Sequence, residues 1–161
     1  MKKTIIACML GITVLSGCTT VYQEAPKNES YSSEPVTFVN AQIDTTPRVF
    51  FSDGITTLKT GYKGWVDNII SNLSMKINNV ETNRTLESAS FEISLHAIQC
   101  TGHYVPECNM TVYLTDNENY KKVFTSGEVN SYPVQNSMNK AINVTTDKIM
   151  ADNEFLQLIY K

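Results

Sequence analysis

The sequence predicts an α+β fold: an antiparallel meander sheet with two helices packed on one face, in the order β-α-β-β-β-α. Three observations carry that reading. Large apolar residues Leu58, Tyr62, Trp65, Ile69, Leu73 and Ile77 recur at three- and four-residue steps, the period of one helix face. Residues 88–100 and 108–115 each alternate apolar and polar side chains, the period of a strand with one buried face. The turn cluster Asp116-Asn117-Glu118-Asn119 follows at once and sends the chain back as a third strand.

Taken in order, residues 36–43 read as a strand with partial alternation, and Arg48-Val49-Phe50-Phe51 as a second, short one. Ser52 or Asp53 then stands where a helix cap is wanted. The helix follows the stripe from Leu58, widened by Val66 and Ile70, and Asn78-Asn79 end it. Gly61 and Gly64 loosen its first turns and let them lie close to a sheet. In the next strand Phe91, Ile93, Leu95 and Ala97 oppose Glu92, Ser94 and His96. Ile98 follows Ala97 directly yet shares parity with Cys100, which requires a bulge near 97–98. Met110, Val112 and Leu114 oppose Asn109, Thr111 and Tyr113, and residues 120–129 complete the meander. After Ser131-Tyr132-Pro133 comes a helix with Met138, Ile142, Thr145 and Ile149 on one face. Asp152 is placed to cap a final turn carrying Phe155, Leu156 and Ile159.

The chain opens MKKTIIACMLGITVLSGC. Two lysines precede an apolar stretch, Thr4 to Leu15, of secretory length and too short to cross a bilayer as a resident helix. Leu15-Ser16-Gly17-Cys18 resembles the lipobox of bacterial lipoprotein signal peptides, in which the cysteine thiol takes diacylglycerol and becomes the mature N-terminus. The resemblance implies a signal peptide at 1–17 and a lipidated Cys18. Thr19, where an aspartate would retain the protein at the inner membrane, implies the outer membrane by the sorting pattern of enteric bacteria. Residues 18–35, rich in Ser, Glu, Pro, Thr and Asn, read as the lipidated cysteine and a flexible tether. If extended at about 3.1 Å per residue, it reaches some tens of Å. Residues 36–161 are then a single periplasmic α+β domain.

Removing residues 1–17 takes away Lys2 and Lys3, leaving eleven basic against sixteen acidic residues. A mildly acidic chain offers no nucleic-acid footprint. There is no phosphate loop, nucleophile elbow or acid pair of fixed spacing, so neither a cofactor nor a catalytic residue is expected.

Residues 96–108, HAIQCTGHYVPEC, hold both histidines and two of the four cysteines. His96, Cys100, His103 and Cys108 supply four zinc-type ligands, but the spacing matches no standard finger. A redox role lacks its C-x-x-C spacing. Cys8 leaves with the signal and Cys18 is lipidated, so Cys100 and Cys108 remain as the free thiols. In an oxidising periplasm they are expected to pair across a hairpin end. That staple holds residues 101–107 out toward solvent, with His103 and Tyr104 as candidate partner contacts.

Other constellations yield to plainer readings. Ser137-Met138-Asn139-Lys140 fits S-x-x-K and Lys59-Thr60-Gly61 fits K-T-G, but the order is reversed for a penicillin-recognising enzyme and K-T-G falls in the predicted helix. Trp65 and Tyr62 read as core before they read as a stacking platform. Tyr104, Tyr113, Tyr120 and Tyr132 offer an aromatic edge for a protein or glycan, against the plainer reading of scattered tyrosines.

The lipobox, early strand, aromatic helix with Trp65, meander and the Asp152–Gln157 ending together resemble the YajG-like small outer-membrane lipoproteins. Auxiliary lipoproteins of envelope lipid transporters have a similar layout. This chain departs from the former pattern in carrying Cys100 and Cys108. The resemblance implies a membrane attachment through the N-terminal lipid, an envelope protein partner, and a non-catalytic accessory or binding role. The alternatives are a pilotin-like or transporter-auxiliary subunit and, from another class, a small envelope hydrolase.

Overall fold

The computed structural model describes residues 19–25, 33–53, 56–80, 84–102 and 105–161. The elements are β1 Thr19–Tyr22, β2 Val36–Asn40, β3 Arg48–Ser52, β4 Thr56–Thr60, α1 Tyr62–Asn79, β5 Ala89–Thr101, β6 Glu107–Asp116, β7 Lys121–Thr125, β8 Val129–Asn130, α2 Val134–Met150 and α3 Asn153–Ile159.

The fold is α+β, but the sheet is mixed rather than a purely antiparallel meander. Its path runs β1-β4-β3-β5-β6-β7, with β2 also beside β5 and β8 beside β6. β5, β6 and β7 form the expected antiparallel series. β1 instead lies parallel to β4, β2 parallel to β5, and Phe51 of β3 pairs in parallel with Cys100 of β5. The β3–β4 hairpin and α1 supply the long crossover that parallel neighbours β2 and β5 require.

Leu58, expected at the head of the helical stripe, is on strand β4 instead. Residues 48–60 form a hairpin in which Ser52 opposes Thr57 and Arg48 opposes Thr60. Asp53 tightens its turn and does not cap a helix: Thr56 N–H donates to Asp53 Oδ1 at 2.6 Å, and Asp53 N–H donates to Thr56 O at 3.2 Å. The β-branched run Thr56-Thr57 and the Asp53-Gly54 dipeptide favour a hairpin over a helix start. Helix α1 begins only after Gly61, so K-T-G ends a strand rather than lying within a helix. Thr19–Tyr22, placed by the sequence in a tether, is likewise a sheet strand.

The anticipated bulge exists one position early. Leu95 pairs with Val112 and Ala97 with Thr111, leaving His96 as the extra residue. Ile98 and Cys100 thereby turn inward with Phe91, Ile93 and Leu95. Expected as one run over 120–129, the third strand is divided into β7 and β8 where Gly127 takes a φ of 71°.

Helices α1 and α2 cover one face, as the amphipathic stripes predict. Asn72 Nδ2 donates to Asn143 Oδ1 at 2.8 Å, and Lys76 Nζ reaches Asp147 Oδ1 at 2.6 Å, so the two helices run side by side in one direction. Trp65, Ile69 and Leu73 of α1 join Met138, Ile142 and Ile149 of α2 over the inward residues of β5 and β6. Each such side chain, fully buried, contributes roughly 1.5–3 kcal/mol. Asp152 caps α3 as expected, accepting from Phe155 N–H at 2.9 Å. Among the described residues no helix is long and apolar enough to cross a membrane.

Candidate functional site

Cys100 on β5 stands directly opposite Cys108 on β6, with Cα atoms 4.0 Å apart, and the two are disulfide-bonded. Both are buried, so the bond belongs to the core as well as to the hairpin. The pairing occupies both sulfurs and removes the thiolates that the zinc set would need. His96 lies on the opposite, open face, its ring edge-on to Tyr113 at 5.3 Å. His103, Tyr104 and Cys18 lie outside the described residues. Among those described, no three His, Cys, Asp or Glu side chains gather as a metal site.

The remaining sequence candidates resolve into packing. Trp65 is fully buried, and its indole N–H donates to Thr60 Oγ1 at 2.8 Å. Tyr62 is also buried; its hydroxyl accepts from Ile98 N–H at 3.3 Å while Arg48 lies over its ring. Neither offers a stacking face to a ligand. Ser137 is buried with its hydroxyl 2.7 Å from the carbonyls of both Pro106 and Ser131, and Lys140 donates to Asn130 O. Those bonds fix the start of α2. Of the tyrosine edge, Tyr120 is buried against Phe91 and Phe155, whereas Tyr132 is 73% exposed. Tyr120 and Tyr132 therefore do not share one surface.

A small groove of about 160 Å³ lies between β2 and α1, lined by Ser33, Val36, Phe38, Ile70 and Ser74 among others. Ligand sites for drug-sized molecules usually measure roughly 300–1,000 Å³, so this one is undersized for such a ligand.

Strand directions sort the surface into two ends. At one end β1 starts at Thr19, beside Thr56 of β4; Ser52 of β3 and Cys100 of β5 follow across the sheet. Glu107 of β6 pairs there with Asn130 of β8, and Ser131 N–H donates to Pro106 O, so the stapled hairpin meets the β8–α2 connection. Two exposed apolar side chains flank that contact, Val105 and Tyr132, at 51% and 73% exposure.

The opposite end holds a polar cluster that the sequence reading missed. Lys122 Nζ is shared between Asp152 and Glu154, 2.7 and 2.8 Å away, while Tyr120 O–H donates to Asp152 at 3.3 Å. Burial, helped by the carboxylates of Asp152 and Glu154, pushes the Tyr120 hydroxyl well above its ordinary value. The cluster joins the β6–β7 turn to α3. The Asp152 cap signal pointed to one of its members, but no local pattern links 122 to 152.

No family model matches the chain, and no curated protein matches it. Two solved structures are similar to it. One is of a Xanthomonas campestris protein assigned to DUF330, 8% identical, with a TM-score of 0.47 over 80% of this chain and 91% of that one. The other, described only as an uncharacterized protein, is 17% identical with a TM-score of 0.35, covering 88% of this chain and 99% of that one. Likeness at this level carries no argument about function.

Proposed function

We propose that the protein is a lipid-anchored, non-catalytic accessory or binding component of the bacterial cell envelope, held at the outer membrane with its folded part in the periplasm. The observation that carries this is the run from Lys2-Lys3 through the apolar Thr4–Leu15 stretch to Leu15-Ser16-Gly17-Cys18. Lipid on Cys18 changes the physics of location: each buried methylene contributes about 0.8 kcal/mol, so two or more acyl chains hold a protein stably. The Cys100–Cys108 disulfide suits an oxidising compartment. The packing roles of Ser137, Lys140, Trp65 and Tyr62 favour a docking role over the serine-enzyme and stacking-platform readings of those residues. A YajG-like lipoprotein fits this reading. So does a pilotin-like or transporter-auxiliary subunit, which differs in the machine served rather than in the physics.

Metabolic labelling with palmitate tests the anchor. The wild-type chain should take label and sediment with outer membranes, and Cys18→Ala should do neither. Labelling that persists in Cys18→Ala sinks the reading.

A further inference from the structure

Residues 19–25 leave little slack behind Cys18. Thr19 to Tyr22 pair in register with Thr56 to Lys59. Gln23 N–H donates to Lys59 O at 2.7 Å, and Gln23 Oε1 accepts from Gln135 Nε2 at 2.7 Å. Ala25 then packs against the core above Gly64. The Cα of residue 18 is one peptide, about 3.8 Å, from that of Thr19. An anchor at that position is therefore fixed to the sheet, not separated from it by a tether of tens of Å.

We infer that the domain rests directly on the bilayer by the end of the sheet where β1 starts, with Val105 and Tyr132 as its apolar contacts; this depends on the anchoring reading above. The strand directions place the stapled hairpin and the β8–α2 connection at that end, together with Thr19. Val105 is apolar, and Tyr132 pairs an apolar ring with a polar tip, the side-chain type that settles at a membrane–water boundary. The β6–β7 turn and the Lys122–Asp152 cluster then point away from the membrane, where a periplasmic partner has access.

The test uses the full lipidated protein in phosphatidylethanolamine–phosphatidylglycerol vesicles with brominated acyl chains. Trp65 is the chain's one tryptophan and fully buried, so it gives a constant background. Tyr132→Trp and Val105→Trp report on the proposed contact end, each serving if the other misfolds, and Asn119→Trp on the opposite turn. The added emission at 132 and 105 should be largely lost to bromine quenching, and that at 119 retained. Protein that floats with the vesicles but is quenched alike at both ends, or at neither, overturns the orientation and leaves the anchor standing. Protein that fails to float overturns the anchoring reading itself.

Discussion

Lys122 on β7 and Asp152 before α3, thirty residues apart in the chain, meet at 2.7 Å and hold the β6–β7 turn to the start of α3. Asp152 does three things at once: it caps α3, pairs with Lys122 and accepts from Tyr120. Burial acts to raise its carboxyl, but the Lys122 ammonium, the Phe155 N–H and the Tyr120 hydroxyl outweigh that and hold it below its ordinary 3.8. A carboxyl depressed in the folded state adds stability that is fully present above the unfolded value and is lost as pH falls through the folded one.

Lowering the pH from about 5 toward 2 should therefore reduce the urea midpoint more steeply in the wild-type chain than in Asp152→Asn. Asn keeps the cap but not the charge, so the variant should lose about 1–2 kcal/mol at neutral pH. Asp152→Ala should lose roughly 1 kcal/mol more with the cap. Asp44, drawn down to about 2 by the Arg48 hydrogen bond, titrates in the same window in both proteins. The difference in slope is therefore the readout, and parallel slopes would show that Asp152 is not depressed.

Cys100 and Cys108 close a loop of eight residues' separation. By the loop-entropy model, reduction or the Cys100→Ala/Cys108→Ala pair should cost about 2–3 kcal/mol. Denaturant midpoints with and without reductant measure it. Intact mass under non-reducing conditions should be two hydrogens below the reduced form. Two free thiols with bound zinc would restore the metal reading.

Trp65 and Thr60 form a buried donor–acceptor pair where β4 passes into α1. Thr60→Val removes the indole's acceptor at nearly constant volume and should cost about 1–3 kcal/mol through the orphaned N–H. Trp65→Phe should cost at least as much, since it leaves unfilled space as well as losing the indole's hydrogen bond to Thr60. If thermal unfolding shows Thr60→Val to be neutral, the indole has another partner.

Gly64 lies under Ala25, and a Cβ built there would approach Ala25 Cβ to 2.9 Å. In an open helix position Gly→Ala gains roughly 1 kcal/mol. Here Gly64→Ala should gain nothing and should weaken amide-exchange protection across 21–23 by displacing the docked segment. A full propensity gain with unchanged protection would mean that residues 19–25 are not held as described.

The β5–β6–β7 run, the face of α2, the cap at Asp152 and the Cys100–Cys108 pair were all legible, because each rests on contacts a few residues apart or on a period that one element imposes. The bulge was legible too, since Ile98 beside Ala97 breaks parity; the pairing register then assigned the extra residue to His96. Leu58 misled because a four-residue step to Tyr62 continues a helical stripe in phase, even though Gly61 divides the two elements. The hairpin signal Asp53-Gly54 and the β-branched Thr56-Thr57 were present and outweighed in that reading.

What the sequence determined by itself is therefore local: which residues turn inward, where most elements begin and where the disulfide forms; the lipobox-like run Leu15–Cys18, on which the proposed envelope role rests, is likewise a local pattern. What only the tertiary structure decided is adjacency. Alternation assigns each side chain a face but leaves its strand's neighbours open, since backbone hydrogen bonds look alike in any pairing. The tertiary structure sets β2 beside β5, β1 beside β4 and Lys122 beside Asp152. The same adjacency turned Thr19–Tyr22 from an expected tether into a strand, and so attached the residue after Cys18 to the fold.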